Sequence, residues 1–160
     1  MTEMNTETTN TPDTEQANTP SSTSSTCPSS SILDRALWAV MDLIDALGLY
    51  STISRGALGT GNSLVCDIAP SSPDEVYLDK NKYITVDVTI NGKHSDLQTL
   101  SDAMNTIHES LTMARSYPNE SDWQIVDIVT LTEPQLIGRE DNNDFIMASS
   151  LGVKVFTMKS

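Results

Sequence analysis

Residues 83–90, Tyr-Ile-Thr-Val-Asp-Val-Thr-Ile, alternate strictly: Ile84, Val86, Val88 and Ile90 are interleaved with Thr85, Asp87 and Thr89. Successive side chains of a strand point to opposite faces, so this stretch has one apolar face and one polar face. Such a strand is stable only with neighbours along its edges and an apolar layer over one face. The rest of the chain must supply both.

Two segments have the right periodicity for the covering layer. In 32–48, Ile32, Leu33, Ala36, Leu37, Val40, Met41, Ile44 and Leu47 recur at helical spacing, while Asp34, Asp42 and Asp45 lie off the stripe. Ser31 followed by Asp34 forms a capping-box start with a shortened acid, and Gly48 is a natural stop. Near Ser95, which is placed to cap it, a second helix begins. Its seam is Leu97, Leu100, Met104, Ile107 and Leu111, with Asp96 and Arg115 placed to suit the helix dipole.

Between and after these helices the chain reads as strands and turns. The segment 51–63, rich in Gly, Ser and Asn, reads as a loop, and Leu64–Pro70 as a short strand. Pro73-Asp74 suits a turn, and Val76–Asp79 continues in β-type residues before Tyr83–Ile90, which Asn91-Gly92 closes. Trp123–Thr132 is apolar on both faces in its middle, Gln135–Gly138 follows Pro134, and Phe145–Met158 is a last long strand. The expected architecture is α+β: an antiparallel β-sheet with two main helices packed on one face, occupying residues 32–160 as one domain.

The first 31 residues differ in kind, being Ser, Thr, Asn and Pro with almost nothing large and apolar. Such a segment buries too little surface to offset chain entropy, so the expectation is a disordered tail, either solvated or ordered on a partner. It holds four of the chain's 22 acids and none of its nine bases, leaving 18 acids against nine bases, a net charge of −9, on the remainder. At −13 overall the chain is a poor gripper of phosphate backbones, though an acidic wall can let DNA pass without holding it.

No reaction centre emerges from the motifs. Cys27 and Cys66 lack the spacing of a zinc site, and His94 and His108 stand 14 residues apart with no metal-binding pattern. No serine sits in a nucleophile elbow. Glu140-Asp141-Asn142-Asn143-Asp144 is the strongest lure, but counted as a calcium loop from Glu140 it has Phe145 at the sixth place and Gly152 at the twelfth. Asn and Asp also tolerate tight turns, so this stretch reads as a solvated hairpin tip. The expectations are no catalytic residue, no metal and no cofactor. No apolar run approaches the roughly 20 residues that span a bilayer, so no membrane partner is expected.

The stretches Ile68–Val76, Ile84–Leu111 and Trp123–Phe145 together resemble the tail-terminator and minor capsid proteins of long-tailed bacteriophages. Pro134, Ile137, Gly138 and Arg139 match the family's closing motif, with Glu140 and Asp141 in the region of its acid. The resemblance spans about residues 32–158. Where members often carry an arginine late in the central strand, this chain has Asp87-Val88-Thr89. The resemblance implies a non-enzymatic virion protein of the tail or neck, assembled in the host cytoplasm. Its copies would form a ring, as a homohexamer, that ends the tail tube and meets the head–tail connector, with double-stranded DNA passing through unbound. Another neck or head-completion role, or a small peptide-binding adaptor, are the alternatives. Candidate assembly residues are Gln124, Val126 and Ile128, in the doubly apolar strand, and Arg139, Glu140, Asp141, Asn142, Asn143 and Asp144 at the hairpin tip. The last long strand is a further candidate edge. Deleting residues 140–143 is expected to spare the fold while impairing the joining of heads to tails.

Overall fold

The computed structural model describes residues 31–69 and 81–158. The expected tail, the Pro73-Asp74 turn and the Val76–Asp79 strand fall outside the described residues, apart from Ser31. The elements run α1 (Ile32–Asp45), β1 (Ile53–Arg55), β2 (Ser63–Ala69), β3 (Lys82–His94), α2 (Leu97–Thr112), β4 (Trp123–Arg139) and β5 (Phe145–Thr157). They form one five-stranded sheet in the order β1-β2-β3-β5-β4, with both helices on one face: an α+β fold.

The core is what the alternation in β3 demanded. Ile84, Val86, Val88 and Ile90 lie opposite Val155, Val153, Leu151 and Ser149 of β5. Over this face α1 packs Leu37, Val40 and Ile44, and α2 packs Leu100, Met104 and Ile107, all buried. The helix starts are satisfied locally. Ser31 Oγ accepts from the Asp34 amide at 3.2 Å, and the Asp96 carboxylate accepts from the Thr99 amide at 3.0 Å. The cap of α2 is therefore Asp96 rather than Ser95, since the carboxylate of Asp96 reaches the third helical amide.

Four sequence expectations need correction. The sheet is mixed, because Ile53–Arg55, expected in a loop, pairs parallel with Leu64–Cys66; the Asp45 carboxylate accepts from the Ile53 amide at 2.7 Å and holds this short strand in place. Next, β3 runs on through Asn91-Gly92 to His94. Gly92 is needed there because a Cβ would stand 2.7 Å from Leu100 Cδ1. In addition, the two segments on either side of Pro134 are one strand, β4, whose register against β5 shifts at four places. Proline lacks the amide that a ladder needs on both sides, and it is tolerated because β4 is an edge. The last strand, β5, is interior, flanked by β3 and β4, so its edges are already taken.

Candidate functional site

The acidic stretch is the tip of the β4–β5 hairpin. The Glu140 amide donates to the Asp144 carbonyl at 2.8 Å, and the Asn143 amide donates to the Glu140 carbonyl at 2.9 Å. Asn143 takes φ +72°, a left-handed conformation that asparagine tolerates better than most residues. The acidic side chains point to different tasks. Glu140 pairs with Lys93 Nζ at 3.0 Å. Asp144 accepts from Asn142 Nδ2 at 2.8 Å while its amide donates to Asn142 Oδ1. Asp144 is buried rather than solvated, a correction to the sequence reading. Arg139 Nε donates to the Asn143 carbonyl, and its guanidinium lies 4.9 Å from the Phe145 ring centroid. Asp141, Asn142 and Asn143 remain as the exposed face of the tip.

The Lys93–Glu140 pair changes what the tip tolerates. The lysine side chain is only 3% exposed, so removing Glu140 strands a buried ammonium. Deletion of residues 140–143 would therefore remove the partner of a buried ammonium as well as the tip, which argues against the expectation that it spares the fold. A substitution at Asp141 that keeps Glu140 and Asn142 is the cleaner probe, since Asn142 holds the buried Asp144.

The remaining reactive groups are occupied or muted. Burial pushes the Cys66 thiol up to about 12, which leaves it protonated at neutral pH. His94 Nδ1 accepts from the Asp96 amide at 2.9 Å, and its ring stacks edge-on against Tyr50. His108 is buried between α2 and β4, with Nδ1 2.9 Å from Thr130 Oγ1; burial holds its pKa below the ordinary value, and Glu133 partly offsets this. Among the described residues no three His, Cys, Asp or Glu side chains are grouped so as to hold a metal ion, and no helix is long and apolar enough to cross a membrane.

The exposed apolar surface collects on β4. Of nine exposed large apolar side chains among the described residues, five belong to this strand: Val126, Val129, Leu131, Leu136 and Ile137, the last 63% exposed. The strand is 17 residues long and ends the sheet; among the described residues its outer side is bonded by Pro118–Glu120 at the Trp123–Ile125 end and has no partner strand beyond that. A long apolar edge with free backbone groups is a template for another chain, and soluble proteins usually blunt or cover it. Gly152 of β5 lets this surface lie flat, since a Cβ there would stand 3.2 Å from Leu131 Cδ2 and 3.3 Å from Val129 Cγ2.

The expected residues divide accordingly. Val126 is exposed on the edge strand and Gln124 half-buried on it, whereas Ile128 is 1% exposed and belongs to the core; it has only its backbone to offer a neighbour. Val129 lies in the doubly apolar stretch 124–129 that was expected as an edge, whereas Leu131, Leu136 and Ile137 were missed. The register shifts of β4 break the two-residue period that would have sorted them, but Pro134 within an apolar β segment was a legible sign of an edge.

Neither a family model nor a curated protein matches the sequence. Among solved structures, a chain from the virion of the native gene transfer agent (GTA) particle shares the fold, with a TM-score of 0.51 and 14% identity over 78% of this chain and 91% of that chain. At that identity the likeness is one of fold.

Proposed function

We propose that the chain is a non-enzymatic structural subunit of a tailed, phage-like particle. Copies of it close into a ring, six-membered as in the family it resembles, that ends the tail tube and meets the head connector. The observation that carries this reading is the outer edge of β4 beyond Ile125, with five exposed apolar side chains, which suits assembly rather than catalysis. The fold shared with a chain of a gene transfer agent virion supports it. Rings of one subunit need contacts between unlike surfaces that close on themselves. The acidic balance suits a lumen that DNA crosses without sticking.

The hairpin tip is the second contact, toward an adjacent neck protein. Its exposed Asp141 and Asn142 stand on a turn that Lys93 and Arg139 hold in place. Asp141→Ala should leave the fold intact and lower the yield of joined heads and tails in particle preparations. Normal joining would remove the tip from the interface. An open edge also accepts an extended peptide, which is the adaptor reading. Mass measurement separates the two: a discrete oligomer, free or on tail tubes, supports the ring, and a strict monomer in both conditions supports the adaptor.

A further inference from the structure

A ring needs two different faces on each copy, and β4 supplies only one. We propose that the receiving face is the opposite edge of the sheet, with Trp38 of α1 as its anchor; this rests on the ring reading above. Trp38 is 51% exposed although it belongs to a helix whose neighbouring positions are core. Its place follows from helical geometry. Asp34, four residues earlier, binds Arg55 of β1 at 2.8 Å, and Asp45, seven residues later, accepts from the Ile53 amide of β1. Residues at these spacings share a helix face. Asp34 and Asp45 place Trp38 toward β1, the far edge of the sheet from β4, while Arg35, three residues before Trp38, reaches over the helix to Asp122, next to the start of β4.

Surface area argues for a second copy as the occupant. The five apolar side chains of β4 are 40% to 63% exposed, too few on their own to make up the roughly 800 Å² per partner of a standard interface. A single exposed tryptophan adds the kind of large apolar anchor that dominates binding energy. A symmetric β4-to-β4 contact would leave Trp38 bare on both copies and stop at two. The four register shifts also deny β4 a continuous ladder with another β4. Against β1, only three residues long, backbone pairing is short, and side chains carry the contact.

Mixing two full-length variants tests this. Trp38→Asp spoils the receiving face and Leu131→Asp/Ile137→Asp spoils the β4 face; far-UV circular dichroism shows whether each keeps the fold, and Trp38→Ser with Leu131→Ser/Ile137→Ser replaces any that does not. In native mass spectrometry, wild type should form higher oligomers and each variant alone should be monomeric. An equimolar mixture should form a one-to-one heterodimer and nothing larger, because one intact pair of faces remains. Association in the mixture should be at least tenfold tighter than in either variant alone. If the β4 variant is monomeric while the Trp38 variant still assembles, or if the mixture stays monomeric, the Trp38 assignment is overturned and the ring reading stands. If both variants assemble like wild type, both face assignments are overturned while the ring reading stands; if wild type stays monomeric both free and on tail tubes, the ring reading fails and takes this inference with it.

Discussion

Replacing Gly92 by alanine puts a methyl group where α2 meets β3. The added Cβ would stand 2.7 Å from Leu100 Cδ1, 3.2 Å from Leu64 Cδ2 and 3.2 Å from Tyr50 Oη. The first contact is closer than packed carbons allow, and it involves the end of a side chain, which could swing aside if it had room. It has none: Leu100 and Leu64 are both fully buried. Overpacking of this kind costs about 1–3 kcal/mol. Alanine also restricts the unfolded chain, which offsets roughly 0.4–1 kcal/mol. The net expectation is a loss of about 1–2 kcal/mol, read as a lowered urea midpoint by far-UV circular dichroism at unchanged slope. Leu100→Ala alone should cost about 2–5 kcal/mol, and the double variant should lose less than the sum because the new methyl fills part of the space. Gly138→Ala is the control, with nothing within 4 Å of its added Cβ and no left-handed φ, and it should be neutral. If Gly92→Ala changes stability by less than about 0.5 kcal/mol, the close approach of α2 to β3 described here is wrong.

Further outcomes follow from other contacts. The pKa of His108 is lowered on folding, so the unfolded chain takes up its proton first; its contribution to stability is intact above the ordinary value of 6.5 and is lost as pH falls through it toward the folded value. Urea midpoints between pH 7.5 and 5.5 should fall more steeply for wild type than for His108→Gln; parallel curves would show that burial of the imidazole is not felt. Glu140→Gln should cost about 1–2 kcal/mol by leaving Lys93 unpaired, with the glutamate's partial exposure moderating the loss, and Lys93→Met combined with Glu140→Gln should recover part of it. Equal costs for the single and double variants would contradict the pairing. Arg35 holds Asp122 with two hydrogen bonds and lies 5.4 Å from the Trp123 ring centroid. Arg35→Lys cannot reproduce the planar fork and should lower the melting temperature; an unchanged melting curve would show that the pair is idle.

What the sequence disclosed and what it hid have separate physical causes. Periodic apolar patterns with local caps were legible: α1 with its Ser31 cap, though it ends at Asp45 and not at Gly48, the seam of α2 from Leu100 onward, and the alternation of β3 all record one-sided burial directly. β1 was hidden because three residues carry no period, and its pairing is set by Asp45 eight residues upstream of Ile53. β4 was split in two because Pro134 reads as a stop, whereas on an edge it costs no ladder bond. The same strand explains the mixed result at the interface. Irregular register put Ile128 inward and turned Val129, Leu131, Leu136 and Ile137 outward, and no window of alternating residues marks that. The hairpin tip was legible as a turn because Asn and Asp repeat there. Its anchor Lys93 was not, since a separation of 47 positions between Lys93 and Glu140 hides the pair.

The most direct test of the account is a particle structure by cryo-electron microscopy in which this chain is traced. The account predicts a closed ring of identical copies at the head-proximal end of the tail tube, with Val129, Leu131 and Ile137 of β4 buried against the next copy. A particle in which this chain occurs as isolated molecules, or in which β4 faces solvent around the whole ring, would contradict it.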